Sequence, residues 1–249
     1  MVTHKNDIHL TLLNATSVKN KTAELLKFLT DHNIDIAIII ETWLKPSNTV
    51  KLNNYNIFRK DRPLCTNKHP GGGVLIAVRT NIPVEDTPRP SVSSIEFLSV
   101  KLKISPALNI GAAYVSPKNK ITASDLDAIT SYHGPGYFLI GGDFNAKHKN
   151  WNNLNRNANG STLKNHSELH NFHILHSPTY TDRLPNRTPS NIDIFLTNAL
   201  YFHECQLIDD LPSNHFPVSL KLHTLITEKR YKQREQTDWE AYAKANATK

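Results

Sequence analysis

The stretch "LIGGDFNAKH", residues 139–148, joins an apolar run to two glycines and then to Asp143 and Asn145. A short apolar run that ends in glycines is typical of a buried strand that reaches the edge of its sheet. Polar residues at such a strand end face the crevice where ligands bind, and the glycines would let another group approach the backbone closely. An Asx turn, in which Asp143 and Asn145 only satisfy nearby backbone N–H groups, is an alternative explanation of the same sequence.

The composition describes a basic chain of 249 residues with a formal net charge of +7, which favours an anionic partner such as nucleic acid or an acidic membrane surface. Its two cysteines, Cys65 and Cys205, are too few for a disulfide framework or a zinc cluster and fit a reducing, intracellular setting. No run approaches the roughly 18 apolar residues that span a bilayer, and the N-terminus lacks the core of a signal peptide. We therefore expect no membrane partner.

Hydrophobic patterning predicts alternating strands and helices in each half of the chain. In the first half, residues 8–13 and 34–41 are predicted strands on either side of an amphipathic helix that places Leu25 and Leu29 on one face. Three further predicted strands, 72–79, 95–104 and 109–115, have short connections and are expected to pair antiparallel. The second half holds helices at 122–132, with Thr122 and Asp125 as a capping pair, and at 161–172, and strands at 137–142, 191–197, 202–208 and 216–223. This order predicts an α/β sandwich of two face-to-face sheets with helices outside.

Polar side chains stand at the ends of these predicted strands: Asn14, Glu41, Tyr114, Asp143, Asn145, Asp193, Asn214 and His215. Singly, each has a plain explanation, since Asn14 could cap a helix, Glu41 could begin a turn, and His215 could be packed in the core. Together, the carboxylates of Glu41, Asp143 and Asp193 form an oxygen set that suits Mg²⁺. A histidine beside an aspartate is the pairing that orients an imidazole.

Seven ordered motifs resemble the endonuclease/exonuclease/phosphatase superfamily, and within it the apurinic-type endonuclease of non-LTR retrotransposons. The motifs are "LLNATSV", "IIIETWL", "PGGGVLIAVR", "AAYVSP", "GGDFNAKHKNW", "SNIDIFL" and "SNHFPVSL", and they cover about residues 8 to 223. The "GGDFNAKH" motif with "NW" downstream is most similar to insect jockey-type elements. The resemblance implies a DNase I-like fold, a four-layer α/β sandwich of two mixed sheets flanked by helices.

The resemblance also implies an activity, a Mg²⁺-dependent endonuclease that nicks one strand of double-stranded DNA, with Mn²⁺ as a substitute ion. In that reading Glu41 binds the metal with Asn14 beside it, and Asp143 orients or deprotonates the attacking water. Asn145 holds Asp143 and donates to the phosphate, and Tyr114 contacts the phosphate or the leaving oxygen. His215, oriented by Asp193, donates to a non-bridging oxygen. Whether Asp143 or His215 is the general base stays open, because proximity cannot be read from sequence.

One departure from the family pattern is Asn214, which stands between Ser213 and His215 where the family has aspartate. The amide keeps a carbonyl oxygen for a metal and loses the negative charge, so an ion bound there would be held more weakly. A catalytically weakened DNA-binding module is therefore one alternative. A DNA-repair apurinic/apyrimidinic endonuclease is another, and a lipid phosphatase is disfavoured because no apolar docking loop is evident.

Candidate DNA contacts lie in two segments. The turn-rich "LPNRTP", residues 184–189, is flanked by Arg183 and contains Arg187, and Ser190 follows it where the resembled enzymes also have serine. Cationic residues Lys147 and Lys149 come directly after the Asp143 motif and can bind phosphates. Nearby Trp151 either stacks on a base or packs in the core.

Two other sequence patterns give weaker indications of function. His166 and His170 have a zinc-like spacing of four on a helix, but with no acidic partner in the Ser/Asn-rich surroundings we expect a solvated helix face. The glycines at 71–73 precede a strand and lack a following Lys-Ser/Thr, so they predict a turn and not a phosphate-binding loop.

The composition becomes charged and glycine-free near residue 228. We expect an endonuclease domain over residues 1–228 and a charged linker over residues 229–249. Within that linker, "TDWEAY" resembles the segment that leads to the reverse transcriptase in such polyproteins. The expected setting is therefore a larger polyprotein that acts in the nucleus.

Overall fold

The computed structural model describes residues 3–62, 71–88, 90–132, 134, 136–182, 188–199, 202 and 205–227, and within these ranges it describes the side chains of residues 7–223. The strands are β1 (Thr3–Asn14), β2 (Ile36–Ile40), β3 (Tyr55–Lys60), β4 (Val74–Arg79), β5 (Val84–Asp86), β6 (Glu96–Leu102), β7 (Leu108–Tyr114), β8 (Tyr137–Asp143), β9 (His173–Leu175), β10 (Asp193–Thr197), β11 (Gln206–Leu207) and β12 (Val218–Thr227). The helices are α1 (Thr22–Asp31), α2 (Ala123–Ser131) and α3 (Ala158–Leu169), with a 3-10 turn at Lys149–Trp151.

The strands form two six-stranded sheets, in the orders β11-β12-β1-β2-β4-β3 and β5-β6-β7-β8-β10-β9. Each sheet is mixed, because one pair of neighbours in it runs parallel. In the first sheet this pair is β1 and β2, joined by α1, and in the second it is β7 and β8, joined by α2. Both parallel pairs are strand-helix-strand units, so the unit predicted around α1 is confirmed.

The two sheets pack face to face over one apolar layer, to which both contribute fully buried side chains such as Leu12, Ile38 and Phe195. On the outer face of the first sheet, α1 buries Leu25, Phe28 and Leu29. On the outer face of the second, α2 and α3 bury a separate apolar cluster. The structure is therefore the expected four-layer α/β sandwich.

The predicted antiparallel pairing of residues 72–79 with residues 95–104 is wrong. Strand β4 lies between β2 and β3 in the first sheet, whereas β6 lies between β5 and β7 in the second. The connection after β4 crosses from one sheet to the other, and a short connection says nothing about which sheet receives the next strand. The pairing of β6 with β7 is antiparallel, as predicted.

The close approach expected at the glycines before Asp143 is made by neighbouring parts of the fold. A Cβ atom at Gly142 would collide with the Ala113 carbonyl, and one at Gly141 would press on Phe195 and Ile38. The glycines therefore admit neighbouring strands and core side chains, not a ligand. Their effect on the site is indirect, since they let β8 lie against β7 in the register that pairs Tyr114 with Asp143.

Candidate active site

The strand ends that carry the predicted polar residues meet at one edge of the sandwich. In the second sheet, Asp143 pairs in register with Tyr114 on one side and with Asp193 on the other. In the first sheet, β1 ends at Asn14, which pairs with Ile40, the residue before Glu41. The two sheets touch here, because Asn14 of the first sheet contacts Asp143 of the second.

Asn14 connects the two sheets through its buried side chain. Its Nδ2 donates to Glu41 Oε1 and to Asp143 Oδ2, both at 3.3 Å. The orientation of the amide follows from Thr16, whose backbone N–H donates to Asn14 Oδ1 at 3.2 Å. Asn14 therefore faces the carboxylates with its nitrogen, which cannot bind a cation. The role of Asn14 beside the metal stays a prediction.

Glu41 reaches Asn14 because the backbone turns sharply after β2. Both Glu41 and Trp43 have positive φ, +52° and +54°, in the left-handed region that side chains other than glycine seldom adopt. Trp43 Nε1 donates to Glu41 Oε2 at 3.0 Å, so each carboxylate oxygen has a donor. Strain of this kind concentrates at functional sites. Trp43 was not predicted, although it lies two residues after Glu41 in the "IIIETWL" motif.

Asp143 lies at the centre of the site and is 2% exposed. Its Oδ1 accepts the backbone N–H of Asn145 at 2.9 Å, so the Asx turn considered from the sequence is present. Burial, followed by the nearby charge of Asp193, raises the pKa of Asp143 well above its ordinary value, although His215 opposes the shift. The Asn145 amide donates to the Val115 carbonyl at 2.8 Å, which fixes the turn against β7.

His215 and Asp193 form a buried pair in which His215 Nδ1 lies 2.7 Å from Asp193 Oδ2. Burial alone would lower the pKa of His215, but the charge and hydrogen bond of Asp193, with the charges of Asp143 and Asp182, raise it to about 10. The imidazole is therefore a cation at neutral pH. Its Nε2 edge is left as a donor.

Tyr114 completes the site from β7. Burial, with the charge and hydrogen bond of Glu41, raises the pKa of Tyr114 far above its ordinary value, so the phenol keeps its proton. The Arg62 guanidinium lies over the ring at 5.6 Å from its centroid and is paired with Glu96. Glu96 is the register partner of Tyr114 on β6. Neither Arg62 nor Glu96 belonged to a predicted motif.

The donor set fits a hard divalent cation. Asp143 and Asp193 each offer a carboxylate oxygen, and these atoms lie within 4.8 Å of each other and of a ring nitrogen of His215, which is protonated and does not act as a ligand. Asp193 Oδ1 is buried without a hydrogen-bond partner, and the raised pKa of Asp143 shows that its negative charge is poorly compensated by the protein alone. A cation would satisfy both groups. Glu41 is only partly buried, so its carboxylate can reach the space beside Asp143 and Asp193.

The segment before His215 brings further residues to the site. Ser213 Oγ donates to the Asn14 carbonyl at 2.7 Å and anchors the segment to β1. Asn214, predicted to join the metal set, is exposed. Asp182 forms a β-bridge with His215 and accepts from Ser190 Oγ at 3.3 Å. Ser190 is 1% exposed, and the DNA contact predicted for it stays a prediction.

Lys147 and Lys149 follow the Asp143 turn on the surface side, and Lys149 is exposed. Asn157, the N-cap of α3, holds this segment because its Oδ1 accepts from Lys147 N at 2.9 Å and its Nδ2 donates to the Asn145 carbonyl at 2.8 Å. Trp151 is buried and donates to the Ala146 carbonyl, so of its two predicted roles the structure shows packing. Arg183 and Arg187 lie outside the described residues.

The expectation of a solvated helix face is wrong for His166, whereas His170 is exposed as expected. His166 is 5% exposed, and Asp127 of α2 supplies the acidic neighbour that the local sequence lacks. Asp127 was not recognised from the sequence as a neighbour of His166 because it belongs to another helix, α2.

Comparison with known proteins agrees with this geometry. Residues 108–219 match the family described as endonuclease-reverse transcriptase. The RNA-directed DNA polymerase from mobile element jockey of Drosophila funebris is 27% identical over 214 residues, which are 83% of this chain and 23% of that protein. The probable RNA-directed DNA polymerase from transposon BS of Drosophila melanogaster is 29% identical over 226 residues, 88% of this chain and 24% of that protein. The chain thus spans about a quarter of the length of these relatives.

Among solved structures, the endonuclease domain of TRAS1, a telomere-specific non-LTR retrotransposon, superposes with a TM-score of 0.72 at 19% identity, covering 88% of this chain and all of that chain. An AP endonuclease from Archaeoglobus fulgidus superposes with a TM-score of 0.61 at 14% identity, covering 86% of this chain and 99% of that chain. The fold is therefore the DNase I-like sandwich. In sequence, the chain is similar to the endonuclease-reverse transcriptase family over residues 108–219 and to the polymerases of insect jockey-type elements.

Among the helices of the described residues, none has both the length and the apolar character required to cross a bilayer.

Proposed function

We propose that this domain is a Mg²⁺-dependent endonuclease that hydrolyses one phosphodiester bond in one strand of double-stranded DNA and leaves a 3′-hydroxyl end. One observation carries the proposal: buried Asp143 lies beside both the His215–Asp193 pair and, through Asn14, the Glu41 carboxylate. An acidic group, a cationic donor and a second carboxylate thereby surround one space at the edge of the sandwich. Phosphodiester hydrolysis requires this combination.

Glu41 and Asp143 would hold the cation, with the free Oδ1 of Asp193 next to it. When bound, Mg²⁺ offsets charge on the phosphoryl oxygens and lowers the pKa of water. The exposed Asn214 is proposed to add a neutral oxygen at the rim. Such a ligand set, made mainly of oxygen, suits Mg²⁺ and also Mn²⁺.

Different side chains of the protein act as the proton acceptor and as the hydrogen-bond donors. His215 is a cation at neutral pH because its pKa is raised to about 10, so it acts as a donor to a phosphoryl oxygen. This favours Asp143 as the group that orients the water and accepts its proton. Tyr114, which keeps its proton, is the second donor, and Asn145 fixes Asp143 through its backbone N–H.

The substrate class follows from charge and from the relatives. A formal net charge of +7 favours a polyanion, and Lys147 and Lys149 stand beside the site. We propose that Arg183 and Arg187 add phosphate or groove contacts. The matched relatives are RNA-directed DNA polymerases, so we propose that the domain acts in the nucleus within a polyprotein and that the 3′-hydroxyl primes reverse transcription.

The test is conversion of supercoiled plasmid to open circles. We expect conversion with Mg²⁺ or Mn²⁺ and none with EDTA. Asp143→Ala is expected to abolish it, whereas Asp86→Ala, which removes an exposed carboxylate on β5, keeps the parental rate. Nicking by Asp143→Ala at the parental rate would make Asp143 only a turn residue.

Two rival functions give different results in the same assay. A DNA-repair enzyme would cut an oligonucleotide with one abasic site in strong preference to intact plasmid. A weakened binding module would retain DNA and leave it uncut at every Mg²⁺ concentration.

A further inference from the structure

A second cluster of metal-ligating side chains lies on the outer face of the second sheet, between α2 and α3. It consists of Asp127 on α2, of His166 on α3, and of His170, the C-cap residue of α3, one turn after His166. Asp127 Oδ1 lies 3.5 Å from His166 Nε2 and 3.4 Å from His170 Nε2. None of these residues belongs to the proposed active site.

Two of the three separations match a tetrahedral ion. Zinc bound by imidazole nitrogen and carboxylate oxygen at about 2.0–2.1 Å holds its ligand atoms roughly 3.3 Å apart. The two imidazole rings are stacked, with centroids 4.1 Å apart and an angle of 28° between their planes. All three ligand atoms lie within 4.8 Å of one another, so small side-chain movements suffice to bring all three into contact with one ion.

An independent observation marks the space between these side chains as a ligand site. His166 is 5% exposed, yet its Nε2, the atom nearest Asp127, has no hydrogen-bond partner. Although Asp127 Oδ1 lies at 3.5 Å, the contact is not oriented as a hydrogen bond. A buried polar atom without a partner is rare and commonly indicates a bound ion or water.

We propose that Asp127, His166 and His170 bind a divalent transition-metal ion of the zinc class, which joins α2 to α3. Two imidazoles and one carboxylate are the donors that Zn²⁺, Co²⁺ and Ni²⁺ prefer, whereas Mg²⁺ and Ca²⁺ prefer oxygen alone. Asp127 and His170 are exposed, which gives the ion a path from solvent and leaves a fourth position for water. This inference does not depend on the proposed function.

The experiment measures Zn²⁺ binding in an Asp143→Ala background, which removes a ligand from the active-site cluster. Metal-free protein is titrated with Zn²⁺ against a chromophoric chelator, and its Tm is recorded with and without Zn²⁺. We expect one equivalent to bind, and Tm to rise by about 5–10 °C when free Zn²⁺ is a hundred times Kd. Co²⁺ in the same protein should give the intense visible absorption of a four-coordinate ion.

Variants at the exposed ligands test the assignment without disturbing the buried histidine. His170→Ala and Asp127→Ala should each weaken Zn²⁺ binding at least about tenfold and remove most of the Tm rise. His170→Cys, which supplies a thiolate, should retain binding. His173→Ala, which removes an exposed histidine on β9, is the matched control and should bind as the background does. Absence of Zn²⁺ binding in the background protein, or binding that His170→Ala and Asp127→Ala leave unchanged, would overturn the proposal.

Discussion

His215 Nδ1 lies 2.7 Å from Asp193 Oδ2. His215 lies shortly before β12, whereas Asp193 is the first residue of β10. Asp193 is at the same time the register partner of Asp143. The position of the imidazole is therefore set by the pairing of β8 with β10. Any change at Asp193 should alter both the charge and the placement of His215.

Asp193→Asn is expected to lower the pKa of His215, because the charge and hydrogen bond that raise it to about 10 are removed. Imidazole NMR titration of the metal-free protein measures this directly. Since the folded pKa is raised, the pairing stabilises the fold fully below about pH 6.5 and the contribution is lost as pH rises toward 10. Nicking should fall at least about 100-fold. A His215 titration that is identical in both proteins would mean that the pair does not form.

Asn214→Asp is expected to lower the Mg²⁺ concentration needed for half-maximal nicking, because a carboxylate attracts the ion more strongly than an amide oxygen does. The measurement is the initial nicking rate as a function of Mg²⁺. Asn214→Ser is the control for a change of side chain without added charge. If Mg²⁺ dependence is the same in all three proteins, Asn214 lies outside the metal shell.

Asp125→Asn is expected to destabilise the fold by about 1–3 kcal/mol at pH 7. The Asp125 carboxylate accepts from Ser93 N at 2.8 Å and Ser94 N at 3.2 Å. Burial would raise the pKa of Asp125, but these hydrogen bonds, with those from the serine and threonine hydroxyls, lower it. The carboxylate's contribution is therefore present above about pH 4 and lost as pH falls through the folded pKa.

Urea unfolding at pH 7 and near pH 3 checks this prediction. The difference between parent and variant should shrink at the lower pH, and Asp86→Asn should change stability little at either. A difference that is independent of pH would assign the effect to packing and not to the charge.

Ending the chain after Glu228 is expected to leave folding and nicking intact, because we propose that residues 229–249 are a linker. Strand β12 ends at Thr227, and the residues beyond it lie outside the described part of the chain. Tm should stay within about 2 °C of the parent value, as for changes remote from the core. A large loss of Tm would show that Tyr231 or Trp239 packs on the domain.

Replacing residues 184–189 by a short Gly/Ser turn is expected to keep Mg²⁺-dependent nicking and to flatten the distribution of nick sites. The reason is that this segment is proposed to contact DNA near the scissile bond while the chemistry resides at the strand ends. Sequencing of nicked plasmid ends gives the map. Arg187→Ala should weaken DNA binding by about 1 kcal/mol if it meets a phosphate, and should also redistribute nicks if it reads a base. An unaltered map would transfer target recognition to residues 147–156.

The strand ends could be predicted from the sequence because each adjoins an apolar run whose length and composition are typical of a buried strand. Asp143 and Asp193 were found in this way, and the seven motifs supplied their common context. Their contact could not be predicted, since it depends on register and on which strands become neighbours. The short strands β5 and β9 were missed for a related reason, because three residues carry no usable periodicity.

Contacts between residues from distant segments also could not be predicted from local sequence patterns. Asp182 beside His215, Arg62 over Tyr114 and Asp127 beside His166 each join segments that only the folded chain brings together. The same limit applies to the glycines before Asp143, for which the sequence does not identify the group that approaches the backbone. Their sequence shows that something approaches closely, and only the structure shows that it is Ala113 of β7.

The hydrogen bond from Asp182 N to Ser190 O, at 3.0 Å, closes the base of the segment between these residues. Both ends of that segment are therefore held in place beside His215, whatever sequence lies between them. Insertions, deletions and substitutions there need not displace Asp193 or His215. Under the proposed function, exchange of this one short segment would change the insertion target and leave Asp193 and His215 in place.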